Sequence, residues 1–387
     1  MFNDTRVYLA ILMYMFGGMF MMAFNFVEMY RVRIKELNQA RIDAKWRGFI
    51  LLAVPTPPNE IDTLVLNAKH IAHLHRKLKN ASNLLDFARA LTYFKEHEEV
   101  RAVFDSYMGA LRGHELFHWL AFSYKRAKME ERAYFAYFIS LFPEVAGNTY
   151  SNLMNQLIGY INNSNIYCRT NVIKALCRIG NQYAVIKALD LINDREYYMY
   201  GRFLADELMA YKGDREELAL TLWAKYGQWS TAMMDIVIIY IKRVSGSFKN
   251  VFMPLLTNDR TDTELRMSII RYYKQYRHDP AHDTLIALMF NEKNINLSIV
   301  ATDALSAYPG TKTAEALHRA IKSRNWYIRY HAAVNLVDLS VSIGNYHWLD
   351  VHDDQYAMDI VRYVMQLRNL HVSDLEPQEE RTQPYVT

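Results

Sequence analysis

Residues 114–118 read His-Glu-Leu-Phe-His. On a helix, this spacing sets two imidazoles one turn apart, where they can grip a divalent metal, and places the carboxylate to activate a metal-bound water. The chemistry would be metal-assisted hydrolysis, with His114 and His118 as ligands and Glu115 as general base. A third ligand is needed. Glu130 and Glu131 have the right chemistry but follow too closely and face the turn of the next hairpin. Gly109 and Gly113 weaken a long helix at its start, and Arg112 is an awkward charge for a buried one. No strand pattern lies nearby to hold a substrate backbone. The expectation is therefore no catalytic residue, no metal and no cofactor. The alternative is a membrane-bound zinc metallopeptidase using His114, Glu115 and His118.

Other candidate chemistry is sparse. His70, His73 and His75 lie in KHIAHLHRK. His70 and His73 share a helical face, but beside Lys69, Arg76 and Lys77 the group reads as a solvated basic face. His278 and His282 flank Pro280 in an exposed loop. The two cysteines, Cys168 and Cys177, are nine apart and form no C-x-x-C pair, which suits a reducing compartment. No glycine-rich phosphate loop, G-x-S-x-G or EF-hand loop is present.

The elements that would position these residues are helical. Hydrophobic residues make up 51% of the 387, ample for a core, while 14 glycines and 9 prolines are too few for a turn-rich β protein. The net charge of +4 is concentrated in one place. Arg31, Arg33, Lys35, Arg41, Lys45 and Arg47 are opposed locally only by Glu36 and Asp43, so the remainder is about neutral and no basic stripe is left for nucleic acid.

That basic cluster follows VYLAILMYMFGGMFMMAFNFV (7–27), which is uncharged and long enough at helical rise to span a bilayer core. A cleaved signal peptide fits poorly, because the apolar run is long and no A-x-A site follows. A buried core helix would be amphipathic, and this run is apolar on nearly every face. The positive-inside rule puts the C-terminal bulk in the cytoplasm. Residues 28–47 read as an amphipathic helix. WRGFILLAVPTPP (46–58) reads as a linker or membrane-surface contact, because Pro55, Pro57 and Pro58 cannot continue a helix.

From Glu60 onward, helix-period segments alternate with short polar breaks, beginning with Ile61–Leu78. FHWLAFSYKRAKMEERAYFAYFISLFP (117–143) resembles a tetratricopeptide unit. Phe117, Leu120, Ala121 and Tyr124 fill its first helix, Ala133, Tyr137 and Ser140 its second, and Pro143 closes it. The resemblance implies packed helical hairpins over 59–160.

The C-terminal half repeats at about 31 residues. Apolar anchors fall at Cys168, Met199, near Met233, and at Leu265, Leu297 and Ile328, often followed by Arg, with slack in the third unit. Asn325 and Trp326 with Ile328, Arg329, Ala332 and Leu336 make the fullest unit. This pattern resembles the short HEAT-like repeats also seen in phycobilisome-lyase-type proteins. The resemblance implies an all-α, right-handed α-solenoid of stacked hairpins over 161–345. DDQYAMDIVRYVMQL (353–367) reads as a capping helix, and 373–387 as a disordered tail. The expected organisation is an anchor at 1–28, a basic juxtamembrane segment and linker at 29–58, hairpins at 59–160, repeats at 161–345, and cap and tail at 346–387.

One fold hosts many functions. The expected role is a single-pass, membrane-tethered cytoplasmic scaffold that binds a protein partner, such as a polysaccharide glycosyltransferase complex. It would contact lipid through the N-terminal helix and the basic segment, and would not bind nucleic acid. Solenoids bind through the concave face, where the register places Lys174, Arg178, Arg271, Asp303 and Tyr330. A lyase or chromophore-handling role, implied only by the resemblance, lacks a suitable reactive cysteine pattern.

Overall fold

The computed structural model describes residues 2–54, 65–147, 149–162, 164–291, 294–344, 347–350 and 354–368. Among them the chain is all-helical, with nineteen α-helices and no strand. It forms two compact units, Met1–Ala188 and Leu189–Thr387.

The first unit begins with α1 (Phe2–Leu51), a single uninterrupted helix about 75 Å long at helical rise. Helix α1 has no internal proline and runs from the apolar stretch through the basic segment without a break. Its side chains from Leu12 to Leu37 are almost all exposed, and Gly17 and Gly18 face nothing within 4 Å. The segment expected to begin a linker instead closes the helix. Trp46, Ile50 and Val54 are buried, with the Trp46 ring 5.4 Å from Phe87. Pro55, Pro57 and Pro58 lie outside the described residues, as does the 373–387 tail.

Helices α2 (Ala68–Leu78), α3 (Ala81–Glu96), α4 (Arg101–Arg112), α5 (Leu116–Tyr124), α6 (Met129–Leu141), α7 (Asn152–Gly159), α8 (Ile166–Ile179) and α9 (Gln182–Asp194) follow, with the boundary between units inside α9. Helix α2 starts at Ala68, because the Asn67 side chain accepts from the Lys69 N–H and caps it. Helix α6 is the centre of this unit, packing against α3, α5 and α8. It is buried on two faces, through Phe135 and Ile139 as well as Ala133, Ala136, Phe138 and Ser140. Of the residues matched to a tetratricopeptide unit, Phe117, Leu120, Ala121, Tyr124, Ala133, Ser140 and Pro143 are buried. Tyr137 is not, at 37% exposed, and Phe138 beside it fills the core. One residue along a helix turns the side chain by about 100°, so the large inward-facing position of this helix is Phe138 rather than Tyr137.

The second unit contains α10 (Gly201–Leu208), α11 (Arg215–Trp223), α12 (Thr231–Val244), α13 (Lys249–Thr257), α14 (Thr263–Gln275), α15 (His282–Met289), α16 (Ile295–Ala304), α17 (Thr311–Ala320), α18 (Trp326–Ile343) and α19 (Gln355–Leu367). Helices α10, α12, α14, α16, α18 and α19 pack one on the next as a row, and α11, α13, α15 and α17 each pack against the helix that follows.

A local device recurs through this row and in α8. Asn165, Ser230, Asp262, Asn294 and Asn325 are N-caps of α8, α12, α14, α16 and α18, and each side chain accepts backbone N–H groups of the first turn. Three residues after each cap sits a buried anchor: Cys168, Met233, Leu265, Leu297 or Ile328. Capping starts the helix while the anchor fixes its rotation. The arginine after the anchor reaches back over the preceding turn. Arg329 Nη1 donates to the carbonyls of Ser323 (2.7 Å) and Arg324 (3.1 Å). Where the sequence has Ser298, its hydroxyl does the same work at the Leu288 (3.1 Å) and Asn291 (2.9 Å) carbonyls. Met199 departs from the expected register. It precedes α10, whose Tyr200 cap has no side-chain bond, and α10 packs through Leu204, Ala205 and Leu208.

Three buried tyrosines serve the seams between helices. Tyr124 donates to the Leu78 carbonyl (2.8 Å), Tyr240 to that of Arg215 (3.2 Å) and Tyr273 to that of Lys249 (2.6 Å). Their rings are buried and their hydroxyls satisfied inside the fold rather than at the surface. Burial pushes the neighbouring Tyr272 phenol up to about 12.

Candidate functional site

The His-Glu-Leu-Phe-His stretch does not lie on one helix. Helix α4 ends at Arg112, His114 sits in the bend that follows, Glu115 is the N-cap position, and α5 starts at Leu116. The one-turn helical spacing between the imidazoles is therefore broken. Phe117 is buried at 2% exposed and its ring stacks 5.7 Å from Phe138. Glu115 is exposed and makes no capping bond. Arg112 is exposed as well, and its Nε donates to the Glu144 carbonyl at 2.9 Å.

His114 and Glu115 open onto a largely apolar groove of about 550 Å³ shared with His75, Ile71, Leu66 and Trp119, and His118 is not among its walls. No group of three or more His, Cys, Asp or Glu side chains among the described residues is close enough to hold a metal ion. Glu130 is exposed and Glu131 half-buried in the first turn of α6.

The histidines of α2 are structural contacts more than a solvated face. His70 stacks on Phe49 at 4.1 Å and its Nε2 lies 2.7 Å from the Tyr107 hydroxyl, while His73 lies 4.9 Å from Phe49. Burial, and then the nearby His73, lowers the His70 imidazole to about 4. His70 is thus neutral at neutral pH and clasps the end of α1 to the rest of its unit. His282 likewise stacks on Tyr308 at 5.2 Å and bonds the Thr313 hydroxyl at 2.7 Å, so it is not a free loop side chain. Both cysteines are buried thiols.

The five residues expected on a binding face fall in different settings. Lys174 and Arg178 are half-buried on α8 in the first unit, and Arg178 Nη1 donates to the Ser140 carbonyl at 2.9 Å, closing the end of α6. Arg271, Asp303 and Tyr330 belong to the second unit, on the successive row helices α14, α16 and α18. Asp303 accepts from Lys274 Nζ at 2.8 Å and lies 3.7 Å from His331 Nδ1. Tyr330 stacks on Trp326 at 5.2 Å with nearly parallel rings. Arg271 is exposed and has no ion-pair partner among the described residues.

Polar bonds stitch the row together along this side. Arg243 pairs with Asp206, Gln275 donates to the Lys242 carbonyl (3.0 Å), Asn335 donates to the Thr302 carbonyl (2.6 Å), and Arg368 forks onto both oxygens of Asp338 (2.9 and 2.8 Å). Repeat spacing could not reveal these partners, because they lie about 30 residues apart on different helices. The chain matches no known protein-family model and no curated protein.

Proposed function

We propose that this protein is a membrane-tethered α-helical adaptor: a single-pass anchor carrying a HEAT-like, solenoid-type helical array that holds a protein partner at the membrane. One observation carries the reading. A helix long and apolar enough to cross a bilayer, with none of that apolar stretch buried, runs without a break into a packed junction of Trp46, Phe49 and Ile50 with α2 and α3. Burying one large apolar side chain is worth about 1.5–3 kcal/mol. Leaving Met13, Phe16, Phe20, Phe24 and Phe26 all in water would be costly, and hydrocarbon is the solvent that suits them. Tethering raises the effective concentration of a bound partner.

The charge asymmetry around residues 7–27 supports a cytoplasmic array by the positive-inside rule. A reporter enzyme that is active only outside the cytoplasm, fused after Thr387, is expected to be silent, and the chain is expected to stay with membranes after alkaline carbonate extraction. Strong reporter activity would reverse the orientation. Release by carbonate would remove the anchor from the account.

A further inference from the structure

Three cations of the row have no answering carboxylate among the described residues. Arg202 on α10, Lys242 on α12 and Arg271 on α14 lie on helices that pack one on the next, and no ion pair among the described residues engages them. Two more cations border them, each with one acid: Arg243 with Asp206 and Lys274 with Asp303. Asp235, two turns before Lys242 on α12, is engaged by the Ser268 hydroxyl.

Helix dipoles account for part of this arrangement. Lys242, Arg243 and Lys274 stand in the last turns of their helices, where a cation is favoured. Arg202 does not, because it is in the first turn of α10, the end at which a cation is disfavoured. Arg271 lies before the last turn of α14 and gains little from it. The charges also oppose one another. The Lys242 ammonium is disfavoured first by its burial and then by the positive charges of Arg271, Arg243, Arg202 and Lys274. A like-charge cluster on a chain otherwise near neutral outside its juxtamembrane stretch weakens the fold that carries it, and an anionic ligand would relieve that.

We propose that the α10–α12–α14 patch, centred on Arg202, Lys242 and Arg271, is the docking site for an acidic, extended segment of a protein partner. The inference rests on the adaptor reading and names the chemistry of its partner. Neighbouring helices lie about 8–10 Å apart, so the patch is about 20 Å across. An extended chain rises about 3.3 Å per residue, and roughly six residues would cover it. The fixed carboxylates Asp206 on α10 and Asp303 on α16 stand at the two ends of this row of cations, each paired with one of them. They confine the unopposed positive charge to a short span, which suits a short acidic peptide segment better than a phosphodiester backbone with a charge at every step. Arg271 and Arg202 present planar forks suited to a carboxylate.

The test is fluorescence anisotropy of a labelled peptide of about eight residues, alternating Glu and Gly, titrated with the full chain in mild detergent at low salt. Binding is expected to weaken steeply with added salt. Arg271→Glu and Arg202→Glu are each expected to weaken it about tenfold, and Arg271→Gln by less. Arg76→Glu, an equal charge change on exposed α2, is expected to leave it unchanged. Unaltered thermal melting shows that the variants fold, and Arg271→Gln serves if charge reversal does not. Wild-type affinity in the Arg271 and Arg202 variants, or equal binding of a Gln/Gly peptide, would overturn the proposal. Displacement of the peptide at lower concentration by an oligothymidylate of equal charge or by phosphatidylserine micelles would do so as well. None of these outcomes bears on whether the chain holds a partner at the membrane, which is read by co-purification.

Discussion

Phe117→Ala is expected to lower the stability of the protein by about 3–5 kcal/mol, while Glu115→Gln, two residues away, changes it by no more than about 0.5 kcal/mol. The contrast follows from where the bend between α4 and α5 falls. Phe117 is in the first turn of α5, buried, and its ring stacks on Phe138 of the central helix α6. Removing the ring empties a volume that the surrounding helices cannot close, so lost transfer energy and a cavity add together. Glu115 is exposed and caps nothing. Glutamine keeps its shape and removes only the carboxylate that a hydrolytic metal centre would need. Urea unfolding of the detergent-solubilised chain reads both substitutions. If Glu115→Gln instead abolished a peptide-hydrolysing activity in protein carrying one zinc per chain, the stretch would be a catalytic motif after all.

The second large effect belongs to the row. Leu336→Ala should destabilise α18 by about 2–5 kcal/mol, because Leu336 has no exposed surface and α18 is held by α16, α17 and α19. Stacked helices answer to their neighbours more than to distant parts of the chain, so the loss should be local. Hydrogen exchange is expected to quicken through α16–α19 and to change little in α10–α12. Unchanged protection in α18 would mean that its inward face is not the one containing Leu336.

The helical character and the row anchors were legible because they rest on signals that repeat. Four Asx or Ser caps at intervals of 31 or 32 residues, from Ser230 to Asn325, each lead an apolar anchor into the core. A degenerate unit hides that signal: Met199 is buried, but it precedes its helix, which begins two residues later without a capping side chain. Tyr137 and Phe138 are both large and aromatic, so composition alone could not say which faces inward. Segment 46–58 reads as a linker or membrane-surface contact because it ends in prolines. Its apolar part is instead the contact that fastens α1 to α3, and the partner ring, Phe87, lies about 40 residues on. The basic patch was invisible for a related reason. A running charge tally finds Arg31 to Arg47, but Arg202, Lys242 and Arg271 are spread over about 70 residues, and only the stacking of α10, α12 and α14 brings them together.

The adaptor account is tested most directly by what the protein holds at the membrane. The full chain and a variant lacking residues 1–30, which keeps Trp46, Phe49 and Ile50 in place, would be captured in parallel, the first from gently solubilised membranes and the second from the soluble fraction. The account predicts one stoichiometric protein partner with both, retained at the membrane only by the full chain. Absence of any stoichiometric partner from both captures, or a partner lost on removal of the anchor while the array stays folded, would contradict it.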